Sequence, residues 1–412
     1  MAITVNDSPF QVTPAFNPVD YTVTSTNNGQ SNFKYVLDLY LTGTTSPAFV
    51  RMTVDADPTT GRGHFDLQNV VRSYVTQNIS KTDYGFTQAP DTYVEYTPYF
   101  GEQYGPSSGV TVTSGVTVAP ARFAFNGGFS FPDFKDYTSV TYLMVGSSAQ
   151  KFLTNMPNPV TVRSDEYRWL GMMSVTANKI ARAQVKTYNS AGTLLNTVLV
   201  SNNYSGVTAN DDKFLNFSCG GTNLNLIPGA QIVSGSTPII TASVAKYTVQ
   251  ILDSIGSASS ELFTFKINDE CSKYTAYSFY FLNALGRFDT FTCVLADRKE
   301  VSIKREKFKR MVGAFNSSNV FTYNKSDRQE ITFNTTLKDK ITVNSEWIDE
   351  NHSEWLEELI TSPVVFVDDP THGLLGVNIL QDTYTVKKRY TDKLINVSFA
   401  FEYTYDRIRQ QA

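Results

Sequence analysis

The stretch Ile395-Asn-Val-Ser-Phe-Ala-Phe-Glu-Tyr-Thr-Tyr405 alternates large apolar and small or polar residues without a fault. Successive side chains of a β-strand point to opposite sides. Ile395, Val397, Phe399, Phe401, Tyr403 and Tyr405 therefore share one face, and Asn396, Ser398, Ala400, Glu402 and Thr404 share the other. One face belongs to a core and the other to water. At roughly 3.4 Å per residue the strand would run for about 37 Å, so it needs a partner of similar length. Tyr384 to Tyr390, just upstream, is the partner the sequence offers. The remaining edge of this terminal hairpin, carried by the same six large side chains, is a candidate contact with a neighbouring subunit.

Working outward, Trp355, Leu356, Leu359 and Ile360 recur at helical spacing with Ile348 nearby. Ser345 or Asp349 is positioned as the N-cap, and Pro363 ends the helix. Val364 to Val367 then reads as a buried strand, Asp368-Asp369-Pro370 as a turn and Leu374 to Leu380 as a further strand. Tyr277 to Leu282, Asp289 to Leu295, Ile331 to Thr335 and Lys340 to Asn344 complete a C-terminal β module over 268–412. In the middle part, Ala181 to Tyr188 with Thr193 to Val200, and Tyr247 to Leu252 with Glu261 to Ile267, read as two hairpins of a β-sandwich over 156–267. Ser201 to Thr237, rich in Gly and Asn, reads there as long loops. The N-terminal module, 1–155, opens with an extended Pro- and Asn-rich arm over 1–32, with short edge pairing, of a kind that could lie on a neighbouring subunit. It continues with half-buried strands at Phe33 to Leu41 and Phe49 to Val54, either side of a Gly43 to Pro47 turn. A three-turn helix follows, capped by Asp66 and carrying Leu67, Val70, Val71, Tyr74 and Val75. The expected fold is thus mainly all-β: multi-domain β-sandwich modules with two short amphipathic helices.

The chain has 412 residues, 41% hydrophobic and 13% aromatic, enough for more than one core. A formal net charge of -4 implies no global attraction to nucleic acid or anionic membrane. No stretch reaches the ~18 apolar residues of a membrane span, and Met1 to Phe10 lacks the pattern of a secretory leader, so synthesis in the cytosol is expected. Cys219, Cys271 and Cys293 have no close spacing, which reads as reduced, buried thiols.

The chemical motifs are weak. Gly105-Pro-Ser-Ser-Gly109 matches a nucleophile-elbow pattern, but a strand follows where the elbow needs a helix. His64, His352 and His372 have no metal or triad spacing. Asp55, Asp57 and Asp66 around Gly61 could ligate calcium but read as a turn and a helix cap. Glu354, Glu357 and Glu358 read as the wet face of the Trp355 helix and Trp355 as core, while Trp169 and Trp347 read as core or as the lining of a sugar or protein groove. No enzyme activity, cofactor or metal is expected. The main charge feature is Arg298, Lys299, Lys304, Arg305, Lys307, Lys309 and Arg310, against Glu300 and Glu306. Clustered cations attract phosphates, so the stretch is a candidate DNA-facing or interface surface. Val301, Ile303 and Phe308 interleave with it, which also fits a solvated strand whose charges discourage stray pairing.

Phe281-Leu-Asn-Ala-Leu-Gly-Arg-Phe-Asp-Thr-Phe291, Ser353-Glu-Trp-Leu-Glu-Glu-Leu-Ile-Thr-Ser-Pro363 and Val397-Ser-Phe-Ala-Phe-Glu-Tyr-Thr-Tyr-Asp406 resemble the C-terminal module of virion proteins from tailed phages of Bacteroidetes, including the crAss-like group. Phe33-Lys-Tyr-Val-Leu-Asp-Leu-Tyr-Leu41 and Gly63-His-Phe-Asp-Leu-Gln-Asn-Val-Val71 are also similar to them. The resemblance implies a structural protein of the tail, neck or portal-vertex region, located in the virion and built into a homo-oligomeric ring. Its implied partners are further copies of itself, other tail or neck proteins and, through the basic stretch, packaged DNA. The segment 160–265 resembles nothing in that group. The alternative is a receptor- or carbohydrate-binding tail-tip module, suggested by 28 Phe, 23 Tyr and 3 Trp beside long polar loops. A hydrolase acting on surface polysaccharide is a weaker third reading, since carboxylates are plentiful but none form a recognisable pair.

Overall fold

The computed structural model describes residues 3–41, 48–146, 149–269, 274–295, 298–369, 371–385 and 394–408, with the side chains of Ser114 and Asn210 excepted. The chain is mainly β, as the alternation of its apolar residues requires. It divides into two compact units, 1–269 with 282–290, and 270–281 with 291–412.

In the first unit the 12-residue strand Tyr93–Tyr104 is central, flanked by Lys34–Leu41 and Arg122–Phe125 in antiparallel register. Tyr35, Leu37 and Leu39 alternate on one face of Lys34–Leu41 and are buried with Tyr21, Phe65, Tyr96 and Phe100. Asp38, also buried, is held by two hydrogen bonds from Arg51 at 2.6 and 2.7 Å, which offsets the cost of burying a carboxylate. The N-terminal segment is not a free arm. Thr4–Asp7, Val12–Pro14 and Asp20–Thr24 all pair within the chain, and Ile3, Val12, Val19, Tyr21 and Val23 are buried, so this segment helps to make the core. After Asp66 the expected three-turn helix is one α-turn, Gln68–Val71, followed by the 3-10 turn Arg72–Tyr74. Asp66 accepts from the Gln68 N–H at 2.8 Å.

Two predicted hairpins are present as Arg182–Tyr188 with Leu194–Ser201 and Lys246–Leu252 with Phe263–Ile267, within one six-stranded sheet. The boundary expected at 155/156 does not separate two units. Gly85–Gln88 pairs with Phe214–Ser218, which pairs in turn with Trp169–Met173, so one sheet draws strands from both sides of it. The stretch read as loops over 201–237 also holds this Phe214–Ser218 strand and a short helix, Gly221–Asn225. Phe214, Leu215, Phe217 and Cys219 are buried there, a run too short to stand out among so many polar residues. The described residues hold four α-helices where two were expected, the others being Phe131–Lys135 and Glu350–Thr361.

The second unit is built on one sheet in the order Phe288–Cys293, Tyr277–Leu282, Val365–Asp369, Gly373–Ile379, Ser398–Tyr403, Glu330–Asn344, Arg298–Lys309. Residues 282–290, the tip of the hairpin at its start, belong to the first unit. There the Asn283 side chain donates to the Leu153 carbonyl at 3.1 Å and Leu285 joins a buried cluster with Phe123, Phe125 and Phe214. Helix Glu350–Thr361 begins at Asp349, whose carboxylate accepts from the His352 N–H at 2.8 Å. It buries Trp355, Leu356 and Leu359, with the Trp355 ring 5.5 Å from Phe281 and 6.0 Å from Phe291.

The terminal strand is shorter than its alternation suggests and has other neighbours. Ser398–Tyr403 is paired on both sides, with Gly373–Ile379 and with Glu330–Asn344, while Ile395 bridges to Ile348. Of the partner expected at Tyr384 to Tyr390, residues 386–390 lie outside the described residues, and Tyr384 and Thr385 are not in a strand. The turn expected at Gly43 to Pro47 and the residues Cys271 and Pro370 also lie outside them.

Candidate functional site

The exposed end of the second unit's sheet is the strand Arg298–Lys309, paired on one side with Glu330–Asn344 along all 12 of its residues. Every residue of it is exposed. Sequence alternation sorts its side chains. Val301 and Ile303 lie on the face that carries Asp339, Leu337 and Ile341 of the partner strand, because residues opposite one another in register share a face. The register shifts between Glu306 and Lys307, where the pairing skips Phe333. The extra residue lies in the partner strand, so alternation along Arg298–Lys309 continues and Phe308, opposite Ile331, falls on the Lys304 and Glu306 face, with its ring 6.1 Å from Phe333. Val301 and Ile303 thus extend apolar surface outward from the buried Ile341 and Leu337 on one face of an uncovered strand pair, and Phe308 with Phe333 adds an apolar contact further out. The strand pair ends in a small hairpin, Ala314–Phe315 with Phe321–Thr322, where Met311, Phe315 and Tyr323 are 80%, 70% and 71% exposed.

The seven predicted cations all lie on this strand or directly after it, and they differ in what they touch. Arg298 pairs with Glu300 at 3.2 Å, Lys299 with Asp339 at 3.0 Å and Lys307 with Glu330 at 2.5 Å. Arg310 donates to the Arg328 carbonyl at 3.2 Å. Lys304, Arg305 and Lys309 have no ion-pair partner among the described residues. The strand holds six cations and two carboxylates and is net positive, with the signs alternating only on the face of Arg298, Glu300, Lys304 and Glu306.

The structure does not make an inter-subunit edge of the six terminal residues. Ile395, Val397, Phe399, Phe401 and Tyr403 are buried, and only Tyr405 is exposed. Their strand segment has a neighbour on each side, so its backbone N–H and C=O groups are already used within the chain. The open edge is Arg298–Lys309 instead.

The remaining candidates have structural partners. Gly105–Gly109 turns between Tyr93–Tyr104 and Thr111–Val118, with no helix after Ser107. His64 contacts Asp20 at 2.9 Å, His352 contacts Asp349 at 2.7 Å and His372 contacts Asp369 at 3.2 Å. Asp57 accepts from the amides of Thr59 and Thr60, which organises its turn, and its carboxyl is held low by the Thr60 hydroxyl and these amides. Among the described residues no group of His, Cys, Asp or Glu is placed to hold a metal ion. No described helix is long and apolar enough to cross a membrane. Trp169 and Trp355 are buried, whereas Trp347 is 66% exposed.

Sequence reasoning passed over Arg287. It is buried, donates to the Thr92 hydroxyl at 2.7 Å and lies over the Phe214 ring at 5.8 Å. Burial lowers its pKa to about 10. Nothing in a lone Arg after Leu285-Gly286 signals this, since arginine is ordinarily a surface residue.

No protein family matches the sequence, and no curated protein does. Among solved structures, the chain has a weak likeness to dimeric latent PorU from Porphyromonas gingivalis, at 10% identity and a TM-score of 0.18, over 84% of this chain and 32% of that one. The chain thus spans about a third of that protein's length.

Proposed function

We propose that this chain is a non-enzymatic structural protein of a tailed-phage virion, which assembles through the outer part of the strand pair Arg298–Lys309 and Glu330–Asn344, beyond Glu306 and Asn334. In this reading it forms a homo-oligomeric ring of the tail, neck or portal-vertex region and joins neighbouring virion proteins. The observation that carries the reading is the uncovered strand pair itself. An edge strand presents unpaired N–H and C=O groups to any extended partner, and Phe308, Met311, Phe315 and Tyr323 add apolar surface that a solitary protein would leave wet. The sequence resemblance to virion proteins supplies the setting.

The test removes the outer part of the strand pair. Glu306 and Asn334 are opposite each other, so deleting Lys307–Phe333 and joining them through Asn-Gly closes a two-residue hairpin without changing the inner register. We expect mass photometry and negative-stain microscopy to find closed rings of the native chain and none of the shortened one. The native chain should also be found in purified virions. Its absence from virions, or unimpaired assembly of the shortened chain, would sink the reading.

A further inference from the structure

We propose that two copies of this chain pair edge to edge along Arg298–Glu306, antiparallel and related by a two-fold axis at Ser302. This is separate from the ring. A two-fold contact closes after two copies, whereas a ring needs a head-to-tail contact.

The argument rests on the order of charges along the edge. Arg298, Glu300, Ser302, Lys304 and Glu306 alternate onto one face of the strand before its register shift, and all five are exposed. In an antiparallel self-pairing, each residue faces its mirror position about the axis. With the axis at Ser302, Arg298 of one copy faces Glu306 of the other and Glu300 faces Lys304. The two-fold repeats both contacts, so every charge on this face meets its opposite. On the other face Val301 and Ile303, 42% and 45% exposed, face each other twice and cover one another.

Other registers lack this match. An axis at Ile303 sets Glu300 against Glu306 and Lys299 against Lys307, an axis at Val301 sets Arg298 against Lys304, and an axis at Lys304 sets that lysine against itself. The Ser302 register has one kind of unfavourable contact, Lys299 facing Arg305, which the two-fold makes twice against four attractive contacts. It is eased because Lys299 is drawn aside to Asp339 at 3.0 Å. Edge charges that merely repel stray strands need no such order, and one sign would serve best. Here the signs alternate so that the strand complements itself in one alignment.

Cysteine cross-linking reads the axis directly. In the full-length Cys271→Ser chain, Ser302→Cys places two thiols opposite each other across the axis. Residues opposite in antiparallel strands have Cα atoms about 4.5 to 5.5 Å apart, within the range a disulfide spans. Lys304→Cys alone sets its two thiols roughly 14 Å apart along the strands, too far to bridge. Cys219 and Cys293 are buried and do not compete. Under mild oxidation we expect Ser302→Cys to form a disulfide-linked dimer, Lys304→Cys and Glu300→Cys to form none alone, and an equal mixture of those two to form the mixed dimer. Independently, sedimentation should show Lys304→Glu weakening dimerisation by on the order of tenfold, because it turns two attractive cross-strand pairs repulsive. Glu300→Lys combined with Lys304→Glu should restore it. Equal cross-linking at all three positions, none at Ser302, or no rescue by the double reversal would overturn the proposal. The shortened chain lacking Lys307–Phe333 keeps Arg298–Glu306 and should still dimerise, so loss of the ring and loss of the dimer are read separately.

Discussion

The Tyr403 hydroxyl donates to Asp369 Oδ2 at 2.8 Å, while the same carboxylate accepts from the backbone N–H groups of Thr371 and His372, each at 2.9 Å. Burial alone would raise the Asp369 pKa, but these three donors and the His372 side chain outweigh it and hold the carboxyl below its usual range. A depressed folded pKa contributes stability above the unfolded value, about pH 4, and that contribution is lost as pH falls through the lower folded value. The native chain should therefore exceed Asp369→Asn in stability above about pH 5, with the difference shrinking below about pH 4. Denaturant unfolding across this range checks it. The burial of Tyr403 and its bond to Asp369 raise the phenol pKa, so that contribution is present below about pH 10 and fades above it. Tyr403→Phe should cost about 1 kcal/mol at neutral pH.

Gly286 has φ +72°, and a Cβ added there would fall inside the contact distance of the Asn126 carbonyl oxygen. Both the backbone conformation and the space therefore require glycine. Gly286→Ala should destabilise the first unit by about 3 kcal/mol or more. Calorimetry of the full chain checks this, and a melting profile unchanged from native would refute the packing described for this tip.

The parts of the fold that were legible in the sequence are those where local alternation and burial agree. Tyr35, Leu37 and Leu39 show a core face at period two, and Trp355, Leu356 and Leu359 show one at helical spacing. The lengths and neighbours of strands were less legible. Ile395 to Tyr405 alternates perfectly, yet the strand stops at Tyr403, and its partners come from residues 330–344 and 373–379. Alternation states which face is buried but not which strand lies alongside. At Arg298–Lys309 the interleaved Val301, Ile303 and charges read both as a phosphate-facing surface and as a solvated strand, and the sheet order is what leaves the strand outermost. The N-terminal segment differs for the reverse reason, since its prolines suggest an extended arm with only short edge pairing while Val19, Tyr21 and Val23 are packed in the core.

Cys219 and Cys293 are fully enclosed, and burial pushes both thiols well above their ordinary pKa. The thiolate is the reacting form, so neither should be modified in the folded chain. In the Cys271→Ser variant, a disulfide reagent at pH 8 should label fewer than about one thiol in ten until denaturant unfolds the chain. Stoichiometric labelling without denaturant would contradict this burial.

Removing Val397 to Ala412 distinguishes a core strand from an assembly strand. Phe399 packs its ring 5.1 Å from Phe279, and Phe401 lies 5.1 Å from the same ring and 5.7 Å from Tyr277. The Val397 carbonyl accepts from the Ser345 N–H at 2.8 Å, and the Val397 N–H donates to the Ser345 hydroxyl at 2.9 Å. Deleting this segment would uncover the strand edges of both Gly373–Ile379 and Glu330–Asn344 and empty the aromatic cluster between them. We expect the truncated chain to lose the second unit's cooperative transition, with limited proteolysis cutting throughout 291–396. Phe399→Ala, which keeps the backbone, should cost about 3 to 5 kcal/mol in that unit. A truncated chain that stays fully folded and loses only its assembly would show instead that the segment serves a neighbouring subunit.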